Sequence, residues 1–272
     1  MVSVGGVIGL GGEAVEGCGG VELVEGLVAV EDLPMLFIRG ARMLVFADLH
    51  LGFEEDMAEK GIFLPRVQLR KALEAIERGL EVTQPDAVVI AGDVKHIFSR
   101  LGRYEMRELR ELFEFLTRRV GKVYLVRGNH DNFVAPIARR FGVEIVNELW
   151  LGDVLVVHGH RPLPEGAKPR VVVMGHEHPS VALRDSLGSV AKIPCFLTMP
   201  LKRGSRLVVL PALGIYQSGT SVSLQRDSYL SPVIKEEGVL EEAVPFAVLE
   251  DEGVYELPPL KLIEDLLEAP SF

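Results

Sequence analysis

The sequence predicts an α/β protein: parallel strands separated by helices, followed by a second sheet of shorter strands. Three observations carry that reading. Unbroken apolar runs recur, among them MLVFA at 43–47, AVVIA at 87–91, VLVV at 154–157 and VVVM at 171–174, each the length of a fully buried strand. Stripes of apolar residues at helical spacing lie between the earlier runs. Each run also leads into a polar residue with chemistry of its own, Asp48, Asp93, His158 and His176. Open α/β sheets place their ligand crevices beyond the carboxyl ends of their strands.

Residues 1–20 hold eight glycines without a period, the composition of a flexible leader rather than of a folding unit. The remaining residues, 21–272, read as a single domain. The runs at 27–30 and 35–38 are short strands ahead of the one at 43–47. Val67, Leu69, Ala72, Leu73, Ile76 and Leu80 mark one helical stripe, and Met106, Leu109, Leu112, Phe113 and Leu116 another. The strand at 87–91 lies between them, which gives repeated βαβ units. After residue 178 the pattern turns to short strands punctuated by Gly and Pro, at 193–197 and 207–210, which continue as a second sheet with an acidic tail behind it. Pro258 and Pro259 stop the chain before a last helix at 260–267.

At 272 residues and 48% apolar, the chain has enough material for one substantial core. Its two cysteines, Cys18 and Cys195, form no CxxC pair, which excludes a disulfide framework or a thiolate zinc site and fits a reducing cytoplasm. No apolar run reaches the ~18 residues of a membrane span. The N-terminus lacks the basic start of a secretory signal, its first charge being Glu13. A cytoplasmic protein without membrane contact is expected. The formal charge of -10 is unevenly spread: residues 1–36 hold six acids and no base, residues 235–272 eleven acids and two bases, which leaves 37–234 net positive by 5. Arg66, Arg70 and Lys71, and then Arg100, Arg103, Arg107 and Arg110, offer phosphate-contacting positions near the motifs. A broad nucleic-acid footprint is absent from the pattern.

The chemistry lies in Asp48-Leu49-His50, Gly92-Asp93, Gly128-Asn129-His130-Asp131, His158 and Gly175-His176-Glu177-His178. Six of the seven histidines lie in or beside these motifs, and the seventh, His96, follows Asp93 by three residues. One histidine after an apolar strand is as often structural as ligating; this many in series point to a two-metal site. Two divalent cations ~4 Å apart repel by roughly 17 kcal/mol at an effective dielectric of ~20, so anionic ligands must lie between them. Asp93 is the natural bridge. Asp48 and His50, spaced i, i+2, share a face if the strand continues through them, and His176 and His178 repeat the spacing. The Asn129 amide oxygen is a suitable hard ligand. Ligating imidazoles must be neutral, so metal affinity is expected to fall as pH drops below ~6.5.

The series DLH, GD, GNHD, H and GHEH resembles the calcineurin-like metallophosphoesterase superfamily over residues 40–225. More narrowly, ADLHLG at 47–52, Pro194-Cys195-Phe196 and LVVLPALG at 207–214 resemble the small branch that contains the ligase-associated DNA-repair endonuclease PdeM and archaeal SbcD-related phosphoesterases. The resemblance implies a four-layer α/β/β/α sandwich of two mixed β-sheets with the metals at its rim. It implies that Asp48, His50, Asp93 and His178 hold one divalent cation and that Asp93, Asn129, His158 and His176 hold the other. Manganese is foremost for this mixture of carboxylate, amide and imidazole, with iron, zinc, nickel or magnesium as alternatives. His130 would face the scissile phosphate and protonate the leaving oxygen or steady transition-state charge; Asp131 would support its neighbours. The reaction implied is in-line attack on phosphorus by a hydroxide bridging the two cations.

Ser/Thr phosphatases of this fold carry Asp three residues after the bridging Asp, whereas this chain has His96, as SbcD-type nucleases do. That tilts the expected substrate toward phosphodiesters, nucleic acid among them, with His96 positioning the phosphate. A small-molecule nucleotide or phosphomonoester phosphatase is the alternative reading. A non-catalytic, metal-stabilised binding subunit is a third, against which His130 and Asp93 weigh. The insert between His50 and Gly92 and the loop at 95–104 are placed to shape access. The chain after residue 225 is short beside the capping domains of the larger nucleases. Extended grip on duplex DNA would therefore need a homo-oligomer or a DNA-repair partner.

Overall fold

A computed structural model describes residues 20–184, 190–217 and 219–268 of the chain. The expected leader, with Cys18, falls almost entirely outside the described residues.

The first sheet uses β1 (Gly20–Val24), β2 (Leu27–Val30), β3 (Leu36–Ile38) and β4 (Met43–Phe46), and then β5 (Ala87–Ile90), β6 (Lys122–Val126) and β7 (Glu144–Val146). Its spatial order is the chain order. The first four strands are antiparallel neighbours joined by short turns. From β4 on the pairing is parallel, Met43 beside Ala87 and Ala87 beside Lys122. Parallel neighbours need crossovers, and the chain supplies them as helices α1 (Phe53–Glu59), α2 (Gln68–Thr83), α3 (Arg103–Thr117) and α4 (Ala135–Arg140).

The second sheet contains β8 (Leu149–Leu151), β9 (Val154–Val157), β10 (Val171–Met174), β11 (Pro179–Arg184), β12 (Val190–Pro200), β13 (Arg206–Val209) and β14 (Thr220–Ser221). They lie in the order β14-β11-β12-β13-β10-β9-β8. Beyond them come α5 (Pro232–Glu237), β15 (Val244–Leu249), β16 (Gly253–Glu256) and α6 (Leu260–Glu268). β15 pairs with β12, so the segment expected as an acidic tail belongs to the sheet. Three of its acids, Glu250, Asp251 and Glu252, sit in the turn between β15 and β16, while Phe246 and Val248 point into the core.

Alternation along the strands separates the layers. On β4, Leu44 and Phe46 pack against Ile76 of α2 and Leu112 and Phe113 of α3. Val45 faces the other way, into a core between the sheets with Val89, Val156, Val173, Phe196 and Val208. The outer face of the second sheet buries Leu155, Val172, Leu197 and Leu207 against Val233, Ile234 and Leu260. These layers give the four-layer α/β/β/α sandwich. Strands covered on both faces have no polar side, which is why they read as unbroken apolar runs. The two foreseen helical stripes are α2 and α3. The short α1 was not foreseen, because its one buried residue is Glu54 and it presents no apolar stripe. No helix among the described residues is long and apolar enough to cross a membrane.

Candidate metal centre

The parallel strands β4, β5 and β6 of the first sheet and β9 and β10 of the second end at one rim, and the loops that leave them carry every motif. Two of these loops run side by side: Asp48 N–H donates to the Gly92 carbonyl (3.0 Å), His50 N–H to that of Asp93 (3.0 Å) and His96 N–H to that of Leu51 (2.8 Å). The strand pleat does not align Asp48 with His50, because β4 ends at Phe46. Instead the backbone is left-handed at Asp48 (φ 58°), His50 (48°), Asp93 (47°), His176 (70°) and His178 (46°). Each non-glycine residue held there costs on the order of 1–2 kcal/mol, and such strain concentrates at functional sites. Gly92 is also left-handed, and a Cβ on it would collide with His158 Nδ1; one on Gly128 would collide with the Asp93 carboxylate. The glycines of GD and GNHD are there to let the loops close.

Donor atoms of Asp48, His50 and His178 lie within 4.8 Å of one another, as do those of Asp93, His158 and His176. His178 Nε2 is 3.3 Å from Asp48 Oδ1 and 3.4 Å from His50 Nε2. His158 Nε2 is 3.2 Å from Asp93 Oδ2 and 3.1 Å from Asn129 Oδ1. Asp93 Oδ1 accepts from His130 N–H at 2.8 Å, whereas Oδ2, 4.0 Å from His50 Nε2, is the oxygen turned toward both groups. The seven residues expected as ligands thus come together, with His176 and His178 divided between the two groups. The donor set fits divalent cations: Asp48 Oδ1 is buried without a hydrogen-bond partner, His178 lying near it but out of alignment. His158 Nδ1 points to the Ala91 carbonyl at 2.9 Å, which leaves its Nε2 for the site.

The charged groups of the site shift one another. Burial would raise the carboxyls of Asp48 and Asp93, but the imidazoles of His178 and His158 outweigh it and hold both below the usual range. Burial would likewise lower those imidazoles, yet Asp93 carries His158 up to about 9, and Asp48 raises His178. Burial takes His50 down to about 3, and burial with the His158 charge takes His176 down to about 4. The raised imidazoles thus face the lowered carboxylates in pairs, His158 with Asp93 and His178 with Asp48.

Asp131 supports the bridge position as expected. Its carboxylate accepts from the N–H groups of Gly128 (2.8 Å), Asp93 (3.0 Å) and Val94 (2.9 Å). Burial and the Asp93 charge push it up to about 6. Asp131→Ala would leave three buried donors unpaired, at about 1 kcal/mol or more each. The variant is expected to melt roughly 6–12 °C lower; a calorimetric scan within 2 °C of wild type would show that other groups hold this turn.

His130 Nδ1 lies 2.5 Å from the His96 carbonyl, which only accepts, so Nδ1 carries the proton and Nε2 is free toward the site. The His96 ring stacks on that of His130 (centroids 5.9 Å, 20° between planes), and its Nε2 is 3.4 Å from Asp56 Oδ2. Sequence reasoning missed what holds this loop. Lys95, fully buried, donates to the carbonyls of Ile97 and Arg100, and Glu105 accepts from the N–H groups of His96, Ile97 and Gly102. The two charges are 3.8 Å apart. Gln68, whose amide donates to the Leu49 and His50 carbonyls, was missed too. So was Glu177, which clamps the N–H groups of Leu230 and Ser231 to the GHEH loop. His160 lies 5.2 Å from the His158 ring with its Nδ1 buried and unpartnered. Two of the arginines that offer phosphate-contacting positions pair with acids, Arg100 with Glu59 and Arg70 with Glu74. Arg66 stacks on the Tyr104 ring.

The chain is similar to the crystal structure of the Pseudomonas putida nuclease MPE over 85% of its own length and 94% of the other's, with 22% identity and a TM-score of 0.59. The Escherichia coli phosphoesterase YfcE is a more distant likeness, with 16% identity and a TM-score of 0.38 over 80% of this chain and 98% of that one. No curated protein matches by sequence. The family model of the calcineurin-like phosphoesterases matches residues 41–180, more than half of the 272, and the chain belongs to that family.

Proposed function

We propose that this phosphoesterase is a cytoplasmic, two-metal phosphodiesterase acting on nucleic acid, with manganese as its preferred cation. Asp48, His50, Asp93 and His178 would hold one ion, and Asp93, Asn129, His158 and His176 the other. The observation that carries this reading is Asp93, with one oxygen fixed by the His130 N–H and the other turned toward both donor groups. When bound, the two cations supply Lewis acidity at the phosphate and acidify water at neutral pH. The chain's own residues do the rest. His130, its proton fixed on Nδ1 by the His96 carbonyl in the resting ring, presents Nε2 to the reacting phosphate and passes a proton to the leaving oxygen once it is doubly protonated. His96, stacked on His130, positions a phosphate oxygen, and the buried Lys95 and Glu105 keep that loop closed.

His158 and His178 must lose their protons to bind cations, and both are raised, His158 to about 9. Below that value protons compete, so metal affinity should climb with pH from neutrality to about 9, a window above the one expected for free imidazole. Titration calorimetry with manganese at pH 7, repeated in buffers of different ionisation enthalpy, should count at least about one proton released per fully loaded chain, the one His158 carries. Release of none would mean that His158 is not a ligand.

The substrate class is tested by a manganese-supplemented comparison of bis-p-nitrophenyl phosphate, p-nitrophenyl phosphate, and single-stranded and duplex DNA. Faster turnover of the diester with cleavage of DNA is the expected result; turnover of the monoester alone makes the protein a small-molecule phosphatase. His96→Ala should slow the diester by about tenfold more than the monoester, the scale of one lost phosphate contact. Equal, small losses on both would remove His96 from the site.

A further inference from the structure

A cavity of about 890 Å³ opens beside His178, walled by α2, the start of β12 and the loop at 212–217. It continues the reaction centre. Tyr216 on its wall stacks on Phe53 (5.1 Å, 18°), and Phe53 meets the His96 ring edge-on at 4.9 Å. His96 in turn stacks on His130. A line of rings thus leads from the cavity to the proton donor, and a group esterified to a phosphate at the metal centre has this space before it.

The walls specify what the group is. Leu33, Pro34, Ile193, Pro194 and Ile215 give flat apolar surface beside the Tyr216 ring. Lys71 from α2 and Lys192 from β12 line the same space, and neither is paired with a carboxylate among the described residues; Lys192 Nζ donates only to the Gly219 carbonyl. Of the other charges, Arg78 is paired with Asp32 and Glu74 with Arg70, which leaves Glu250 as the remaining acid. Gln217, also on the wall, keeps a buried Nε2 with no acceptor. Cavities of roughly 300–1,000 Å³ hold ligands far larger than a phosphate with a simple alcohol.

We propose that this cavity is the subsite for the nucleotide adjoining the scissile phosphate, its walls taking sugar and base and its two lysines the next phosphate. The proposal rests on the phosphodiesterase reading above. The test compares kcat/KM of the manganese-loaded full chain for the p-nitrophenyl ester of dithymidylate and for bis-p-nitrophenyl phosphate, which carries no nucleoside. Ile193→Trp, which puts an indole into the cavity, and Lys71→Ala with Lys192→Ala, which removes its two lysine cations, should each lower the ratio of the two constants on the order of tenfold, about 1.4 kcal/mol. An unchanged ratio in both variants overturns the subsite. If the wild type hydrolyses neither ester, the phosphodiesterase reading fails, and calorimetry with dithymidylate then decides the cavity separately. Saturable binding weakened by Ile193→Trp supports the subsite, and absence of binding to the wild type overturns it.

Discussion

Asp93→Asn is expected to lose both cations and to reduce hydrolysis on the order of 10³ or more, the equivalent of several kcal/mol of transition-state stabilisation. The variant can keep the fold. An amide oxygen at the Oδ1 position still accepts from the His130 N–H, and the backbone N–H of residue 93 still reaches Asp131. What it places at the Oδ2 position is an NH₂ group, a donor aimed at the point where two cations need a shared anionic oxygen. It also removes the negative charge that holds His158 up near 9. Elemental analysis after dialysis checks the claim directly: two ions retained at wild-type affinity would take the bridging role away from Asp93.

His130→Ala separates proton transfer from cation binding. The bond to Asp93 comes from the His130 backbone, so it survives the substitution, and both ions should stay. Diester hydrolysis should fall by something on the order of 10² to 10⁴, the scale of one positioned acid-base group. Esters of p-nitrophenol should lose much less, since p-nitrophenolate leaves with little protonation. Equal losses on good and poor leaving groups would assign His130 to charge stabilisation in place of proton donation.

The places where chemistry enters this fold were legible because the strands that deliver it are covered on both faces. Val88 through Ala91 are wholly buried, so the run admits no polar residue until the chain reaches the rim, and the break at Gly92-Asp93 marks that rim. The conformation of the rim was not legible in the same way. Alternation predicts Asp48 and His50 on one pleated face, yet the residues converge through left-handed backbone that local spacing does not encode. Their hydrogen bonds go to Gly92 and Asp93, more than forty positions away. Lys95 and Glu105 were passed over for a related reason. Either alone reads as a solvated loop or helix charge, and only the folded loop shows the two together, without solvent, holding five backbone groups. The strands near the C-terminus were hidden by composition, since the acids of the turn at Glu250 dominate a window that also contains Phe246 and Val248. The branch resemblance rested partly on Pro194-Cys195-Phe196 and the stretch at 207–214. In the fold Phe196 and Val208 pack between the sheets, and the Gly214 N–H donates to the Asp48 carbonyl at 3.0 Å, beneath the site.

The central claim, that the chain cleaves phosphodiesters with two cations held by these side chains, is tested most directly by titrating manganese into chelator-stripped protein at pH 8 while hydrolysis of bis-p-nitrophenyl phosphate and ion occupancy are followed together. Activity should be absent at the start, rise with occupancy and level off at about two ions per chain. Full hydrolysis in the presence of chelator, or two bound ions with no hydrolysis of any phosphate ester, would contradict it.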